Sequence, residues 1–95
     1  MSMPSPPRFP LGEIVATPAA LAALDRARKA PSEFLSRHAS GDWGDVCCED
    51  GQANERAVND GTRILSVYQL TLVVTVWIIT EADRSSTCLL LPDDY

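Results

Sequence analysis

Apolar positions recur along this chain in two rhythms, and the change falls at Gly61. Before it they come three and four residues apart. In "TPAALAALDRARKA" (17–30), Ala20, Leu21, Leu24 and Ala27 share one face of a predicted helix. Thr17 supplies an N-cap oxygen and Pro18 takes the first helical position, where a missing N–H is harmless. Arg28 and Lys29 suit the last turn, and Pro31 ends the helix. "PSEFLSRHASG" (31–41) predicts a second, short helix with Phe34, Leu35 and His38 inward and Gly41 as its C-terminal cap. "GDWGDV" then reads as a turn that lays Trp43 over the helix junction. A third helix is predicted from Asp45, as N-cap, to about Asn59, ended by Gly61. It is the weakest of the three, because Gly51 lies inside it and its apolar face (Val46, Cys47, Ala53, Ala57, Val58) is thin.

After Gly61 the runs are short, dense and rich in β-branched and aromatic residues: "TRILSVYQL" (62–70), "VVTVWIIT" (73–80) and "TCLLLP" (87–92). "EIVA" (13–16) reads as a short edge strand. Helices followed by strands give an α+β fold, with two to three N-terminal helices packed on a C-terminal antiparallel β-meander. Neither face of the strands is polar. Ile64, Tyr68 and Leu70 share one side while Leu65 and Val67 share the other, and Trp77 and Ile79 oppose Val76 and Ile78. A sheet apolar on both faces must be covered twice, and short helices cover one side, so a homodimer is expected. The turn "LTLVVT" (70–75) has no Gly, Asn, Asp or Pro to shape it, which predicts an apolar turn near Leu72–Val73 or a displaced strand end. "TEADRS" (80–85) reads as the polar turn of a hairpin, with Arg84 paired to Glu81 or Asp83.

Length and charge narrow the function. The 95 residues suit one domain. "MSMPSPPRFP" holds four prolines in ten residues, which predicts a disordered Pro-rich tail over 1–8 and a single domain over 9–95. Pro4 to Pro7 fits PxxP, a match common in such tails. With 13 acidic and 8 basic residues the net charge is −5, the wrong sign for direct nucleic-acid binding or for an anionic membrane surface. An acidic surface instead docks on a basic protein. Six acids (Asp42, Asp45, Glu49, Asp50, Glu55, Asp60) and one base, Arg56, fall between 42 and 60. The candidate partner-binding residues are therefore Asp42, Trp43, Asp45, Glu49 and Asp50, with Glu81, Asp83 and Arg84 of the polar turn.

Candidate chemistry is sparse. His38, Cys47, Cys48 and Cys88 are the soft-ligand candidates, but adjacent cysteines on a helix project about 100° apart, poor geometry for one metal ion. Small buried hydrophobes are the expected role of the cysteines. A Cys–His nucleophile pair would need an oxyanion hole that no residue marks, and the glycines are scattered singly, so no phosphate loop forms. Glu81 and Asp83 point the same way in extended backbone, yet an exposed carboxylate pair keeps ordinary pKa values and makes a poor catalyst. No catalytic residue, cofactor or metal is expected. An odd, partly adjacent set of three cysteines suits a cytoplasmic protein, and the longest apolar run, Leu70 to Ile79, falls short of a membrane helix.

The blocks "FPLGEIVATPAALAAL", "FLSRHASGDWG" and "WIITEADRSSTCLLLPDDY" together resemble a group of small plasmid-related proteins of proteobacterial plasmids and integrative elements. The resemblance spans Phe9 to Tyr95 and implies a bacterial, cytoplasmic, mobile-element origin; it brings no activity with it. The expected function is that of a small acidic, non-enzymatic binding protein acting by protein–protein interaction. One alternative is an anti-defence inhibitor, anti-CRISPR or anti-restriction, whose acidic patch mimics nucleic acid on a basic host protein. Another is a structural or regulatory homodimer.

Overall fold

The computed structural model describes residues 7–95. Its elements run β1 (Glu13–Ala16), α1 (Pro18–Arg26), α2 (Pro31–Ser40), α3 (Cys48–Asp60), β2 (Ile64–Gln69), β3 (Thr75–Thr80) and β4 (Ser86–Leu90), then a 3-10 turn at Pro92–Asp94. The expected α+β class is the one observed. The Thr17 side chain caps α1 by accepting from the Ala20 N–H at 3.1 Å. This helix ends earlier than its pattern suggests. Pro31 holds Ala30 in extended backbone, and Arg28 takes a left-handed conformation (φ 57°), so Arg28 and Lys29 belong to a loop. Gly41, at φ 94°, closes α2 as expected.

The start of α3 corrects the expectation for Asp45. The Asp45 N–H goes to the Val67 carbonyl and the Val67 N–H to the Trp43 carbonyl, so residues 43–45 run beside β2 as a bridge centred on Gly44. The helix therefore begins two residues later, with Cys47 as N-cap and its Sγ accepting from the Asp50 N–H at 3.4 Å. Gly44 has φ 74°, and a Cβ there would collide with the Val67 carbonyl and the Tyr68 ring, so glycine is required at this contact.

The sheet order is β1-β4-β3-β2. β2, β3 and β4 are antiparallel neighbours, as expected, but β1 joins β4 in parallel, so the sheet is mixed and not a simple meander. The cause is the helical crossover. Three helices carry the chain from β1 at one edge to β2 at the other, and the hairpins then return to β1.

All three helices pack on one side. Ala20, Leu24 and Phe34 meet Tyr68, Val76, Ile78 and Leu89; Phe9, Trp43 and Ala57 gather round Ile64. The strand period puts Leu65, Val67, Trp77, Ile79, Cys88, Leu90 and Val15 on the other side. None of these joins either helix-side cluster, although Ile79 and Leu90 are themselves buried, each 7% exposed.

The expected tail over 1–8 falls mostly outside the described residues, but its last member belongs to the domain. The Arg8 N–H donates to the Ala39 carbonyl, and its guanidinium forks onto both Glu55 oxygens at 2.9 and 2.8 Å. The puzzle of "LTLVVT" resolves into a tight apolar turn. Thr71 replaces the missing turn residue, its Oγ1 accepting the N–H groups of Val73 (3.2 Å) and Val74 (3.1 Å).

The two sheet edges differ. At β2 the Asn54 amide on α3 behaves as a short piece of strand, donating to the Leu65 carbonyl at 2.6 Å and accepting its N–H at 3.2 Å. With the Gly44 bridge, that edge is occupied. The outer edge of β1 has no strand partner among the described residues.

Candidate functional site

The densest chemistry lies in the core. His38 is fully buried between Ser66 Oγ, 2.6 Å from Nδ1, and Thr80 Oγ1, 2.8 Å from Nε2. Thr80 Oγ1 lies 2.8 Å from Thr87 Oγ1, and the Thr87 hydroxyl donates to the Leu11 carbonyl at 2.7 Å. Each hydroxyl has one proton, so the direction of the chain is determined. Thr87 spends its proton on Leu11, so Thr80 must donate to Thr87. Thr80 then accepts from His38, which fixes the Nε2–H tautomer and leaves Nδ1 to accept from Ser66. Phe9 and Trp43 close the ring off edge-on, with centroids at 5.3 and 6.0 Å.

Burial, with the Arg84 charge adding to it, pushes the His38 pKa down to about 4. The imidazole is thus neutral, its lone pair is used, and it lines neither the groove beside Leu35 nor those beside Leu91. It can neither attack nor abstract: this is a structural network that ties α2, β2, β3, β4 and the Phe9–Gly12 strap together. It also removes the formal Cys–His pair. Cys47 and Cys48 are exposed at the start of α3, which corrects their expected role as buried hydrophobes; Cys88 is half-buried. The correction follows from the later helix start, which puts both at a solvent-facing end. Among the described residues no group of three or more His, Cys, Asp or Glu side chains is placed to hold a metal ion.

The polar turn is a turn, but Arg84 pairs with neither acid. Its guanidinium donates to the carbonyls of Thr62 (2.7 Å), Ala57 (2.7 Å) and Glu81 (3.1 Å), clamping the end of α3 to the hairpin. The Ala57 carbonyl lies in the last turn of α3 and Thr62 just beyond it, at a helix C-terminus where a cation is favoured. The Ser85 side chain, with the Ser85 N–H that donates to Asp83 at 3.0 Å, lowers the Asp83 pKa, and Glu81 reaches Arg63 at 3.4 Å. Glu81, Asp83 and Arg84 are therefore brought together in one turn, with Arg84 committed to backbone carbonyls and Glu81 to Arg63.

The acidic band is partly neutralised locally. Asp42 is 2.7 Å from the Arg37 Nε, and Arg37 holds its carboxyl below the usual range. Glu55, held down likewise by Arg8, also accepts from the Trp43 indole at 2.9 Å. Trp43 is 8% exposed and belongs to the core, leaving almost none of its surface for a partner. Asp45, Glu49 and Asp50 are exposed, and the last two sit in the first turn of α3, where the helix dipole favours acids.

Two apolar surfaces remain. One is the sheet side opposite the helices, where Leu65, Val67, Trp77 and Cys88 are partly exposed and Ile79 and Leu90 between them are buried, each 7% exposed. Arg63 and Glu81 border it by strand parity, and Tyr95 lies across it, its ring meeting Trp77 at 5.7 Å and its hydroxyl accepting from Arg63 at 3.1 Å. The sequence already showed this face in its alternation, although none of its central residues was among the candidate site residues. The other surface is the hairpin tip, where Leu72 is 100% and Val73 89% exposed. Leu72→Ser with Val73→Ser is expected to change stability by no more than about 0.5 kcal/mol, because neither side chain is buried. The same double substitution should raise solubility. A melting curve with a precipitation assay checks both, and a large loss of stability would mean that the tip packs after all.

No helix of the described residues is long and apolar enough to cross a membrane. The chain matches no family model, no curated protein and no solved structure.

Proposed function

We propose that this chain is a small acidic, non-enzymatic binding protein that works by protein–protein contact in the bacterial cytoplasm. Its contact surface is the open side of the sheet. The observation that carries this reading is a sheet face on which the partly exposed Leu65, Val67, Trp77 and Cys88 surround the buried Ile79 and Leu90, with Tyr95 packed on Trp77 and, among the described residues, none of the buried residues of α1, α2 or α3 in contact with it. Soluble chains seldom leave a contiguous apolar patch of this kind to water, and an apolar centre with a polar rim is how protein interfaces are built. The closed hydrogen-bond chain at His38 supports the non-enzymatic part, because the one histidine is fully engaged and shielded. A mobile-element origin rests on the resemblance of the three sequence blocks alone.

The test is a photo-cross-linking residue placed at position 67, at the β2 end of the open face, in a bacterial cell. A covalent protein adduct is expected there on illumination. The same group at position 45 samples the acidic surface. Adducts at position 45 with none at position 67 would overturn the open-face reading in favour of the acidic one.

A further inference from the structure

We infer that a second copy of this chain adds to the sheet at the outer edge of β1, its own β1 pairing antiparallel with this one about a two-fold axis at Val15. The inference is independent of the open-face reading. The Glu13 N–H donates to the Ser85 carbonyl and the Thr17 N–H to the Leu89 carbonyl. Every second residue of a strand turns its backbone groups to the same neighbour. Val15 therefore also faces β4, while the N–H and C=O of Ile14 and Ala16 point outward. No strand of the described residues meets them. The opposite edge is closed by Asn54 and the Gly44 bridge, and among the described residues nothing of that kind stands at β1. Nor does "EIVA" hold the lysine or proline with which exposed edges are commonly kept apart. Ile14 and Val15, both exposed, are instead two β-branched side chains at an unpaired edge.

The register selects the occupant. A pair centred on Val15 sets Ile14 against the partner's Ala16 and Ala16 against the partner's Ile14, so all the outward groups of both strands are joined. A large side chain then meets a small one, and Glu13 meets the partner's Thr17, with no like charges opposed. The strand is thus complementary to itself, as a two-fold contact requires. Beside it, on the helix side, lies a groove walled by Leu11, Ile14, Leu35 and Ala39, with no charged residue in its lining. An axis perpendicular to the sheet keeps the helices of both copies on one side, so the two grooves meet along the seam. The net charge of −5 on each copy does not oppose this contact. The Gly44 bridge and the packing of α3 on β2 put Asp42, Asp45, Glu49 and Asp50 by the β2 edge, and β1 is at the other edge. In the joined sheet the two β2 edges lie roughly 30 Å apart, several times the screening length in physiological salt.

Position 15 carries the test, because it faces itself across the axis. Sedimentation equilibrium of the full chain at rising concentration is expected to show a monomer–dimer equilibrium. Val15→Lys and Val15→Glu each oppose two like charges at the centre of the seam, and each is expected to weaken association by about tenfold or more. Mixed in equal amounts, the two variants are expected to associate again, which guards against a loss due to misfolding. A disulfide trap reads the register. Cys88 is the register partner of Val15 on β4, so it is replaced by serine together with Cys47 and Cys48. In that background Val15→Cys is expected to cross-link readily on oxidation, since an opposed pair of this type has its Cα atoms about 4.5 Å apart. Ile14→Cys is the control: its two copies lie roughly 8 Å apart, too far for a disulfide. A chain that stays monomeric at high concentration, charge variants that associate as tightly as the parent, or cross-linking at position 14 that matches position 15 would overturn the inference. A monomer that dimerises only once residues 1–6 are removed would give the edge to the chain's own N-terminal segment. A monomer in which a photo-cross-linker at position 14 captures a different protein would give it to another partner, and either result sinks the second copy.

Discussion

His38→Ala is expected to cost about 4 kcal/mol, the sum of a cavity in the core and two hydroxyls left without their partner. In a domain of this size that is a fall in Tm of roughly 15–30 °C. The ring is fully buried, and it joins Ser66 on β2 to Thr80 on β3 from its place on α2. His38→Leu restores much of the volume but leaves Ser66 without its acceptor and Thr80 without its donor, so it too is expected to be strongly destabilising. The triple variant His38→Leu, Ser66→Ala, Thr80→Val removes all three polar groups together. Thr87 keeps its bond to the Leu11 carbonyl in that variant. It is therefore expected to be more stable than His38→Leu alone, because replacing both ends of a buried hydrogen bond costs far less than orphaning one. Denaturant titrations of the four proteins decide the matter: a triple variant no more stable than His38→Leu would sink the network.

The same ring sets a pH dependence. Its pKa falls from 6.5 to about 4 on folding. Between those values the unfolded chain takes up a proton that the folded chain refuses. Stability is therefore full above pH 6.5, falls as the pH drops toward 4, and is flat in this respect below it. The total is about 3 kcal/mol. His38 is the one histidine, so its imidazole resonances are unambiguous. They are expected to report the Nε2–H tautomer and to stay neutral at pH 5. A ring that titrates near 6.5 in the folded protein would contradict both the burial and the fixed direction of the chain.

What could be read from the sequence was local. Pro31 and Gly41 bracket α2 to the residue, because each acts through its own backbone. The two-sided apolar character of the strands was visible in their alternation, and with it the uncovered face. What could not be read depends on partners far along the chain. β1 pairs with residues 86–89, some seventy positions on, and nothing in "EIVA" states a direction. The start of α3 was misplaced because Asp45 is a good N-cap by composition, while the contact that claims its N–H comes from Val67. That two-residue difference also decided whether Cys47 and Cys48 were inside or outside. Arg84 looked like a surface charge among surface charges, and only the folded hairpin brings three carbonyls to it.

Asn54 was invisible for the same reason, and its removal carries the second large effect. In sequence it is a weak helix former in the middle of a poor helix. In the fold it is 5% exposed and engages the N–H and C=O of Leu65 together, doing the work of a fifth strand at the β2 edge. Asn54→Ala leaves both backbone groups unpaired and is expected to cost about 2–3 kcal/mol. It also opens an edge to pairing with other chains, so aggregation is expected to rise well below the melting temperature. Asn54→Asp is the sharper variant. Its carboxylate can accept the Leu65 N–H but sets a negative oxygen against the Leu65 carbonyl, so near neutral pH it should lose at least as much as alanine. Protonation supplies the missing donor, and the deficit relative to the parent at the same pH should shrink as the acid is titrated. Hydrogen exchange at the Leu65 amide reports the contact directly. The parent should protect this outward-facing N–H, and the alanine variant should lose that protection while the amides bonded between β2 and β3 keep theirs. Equal protection in both proteins would mean that Asn54 does not hold the edge.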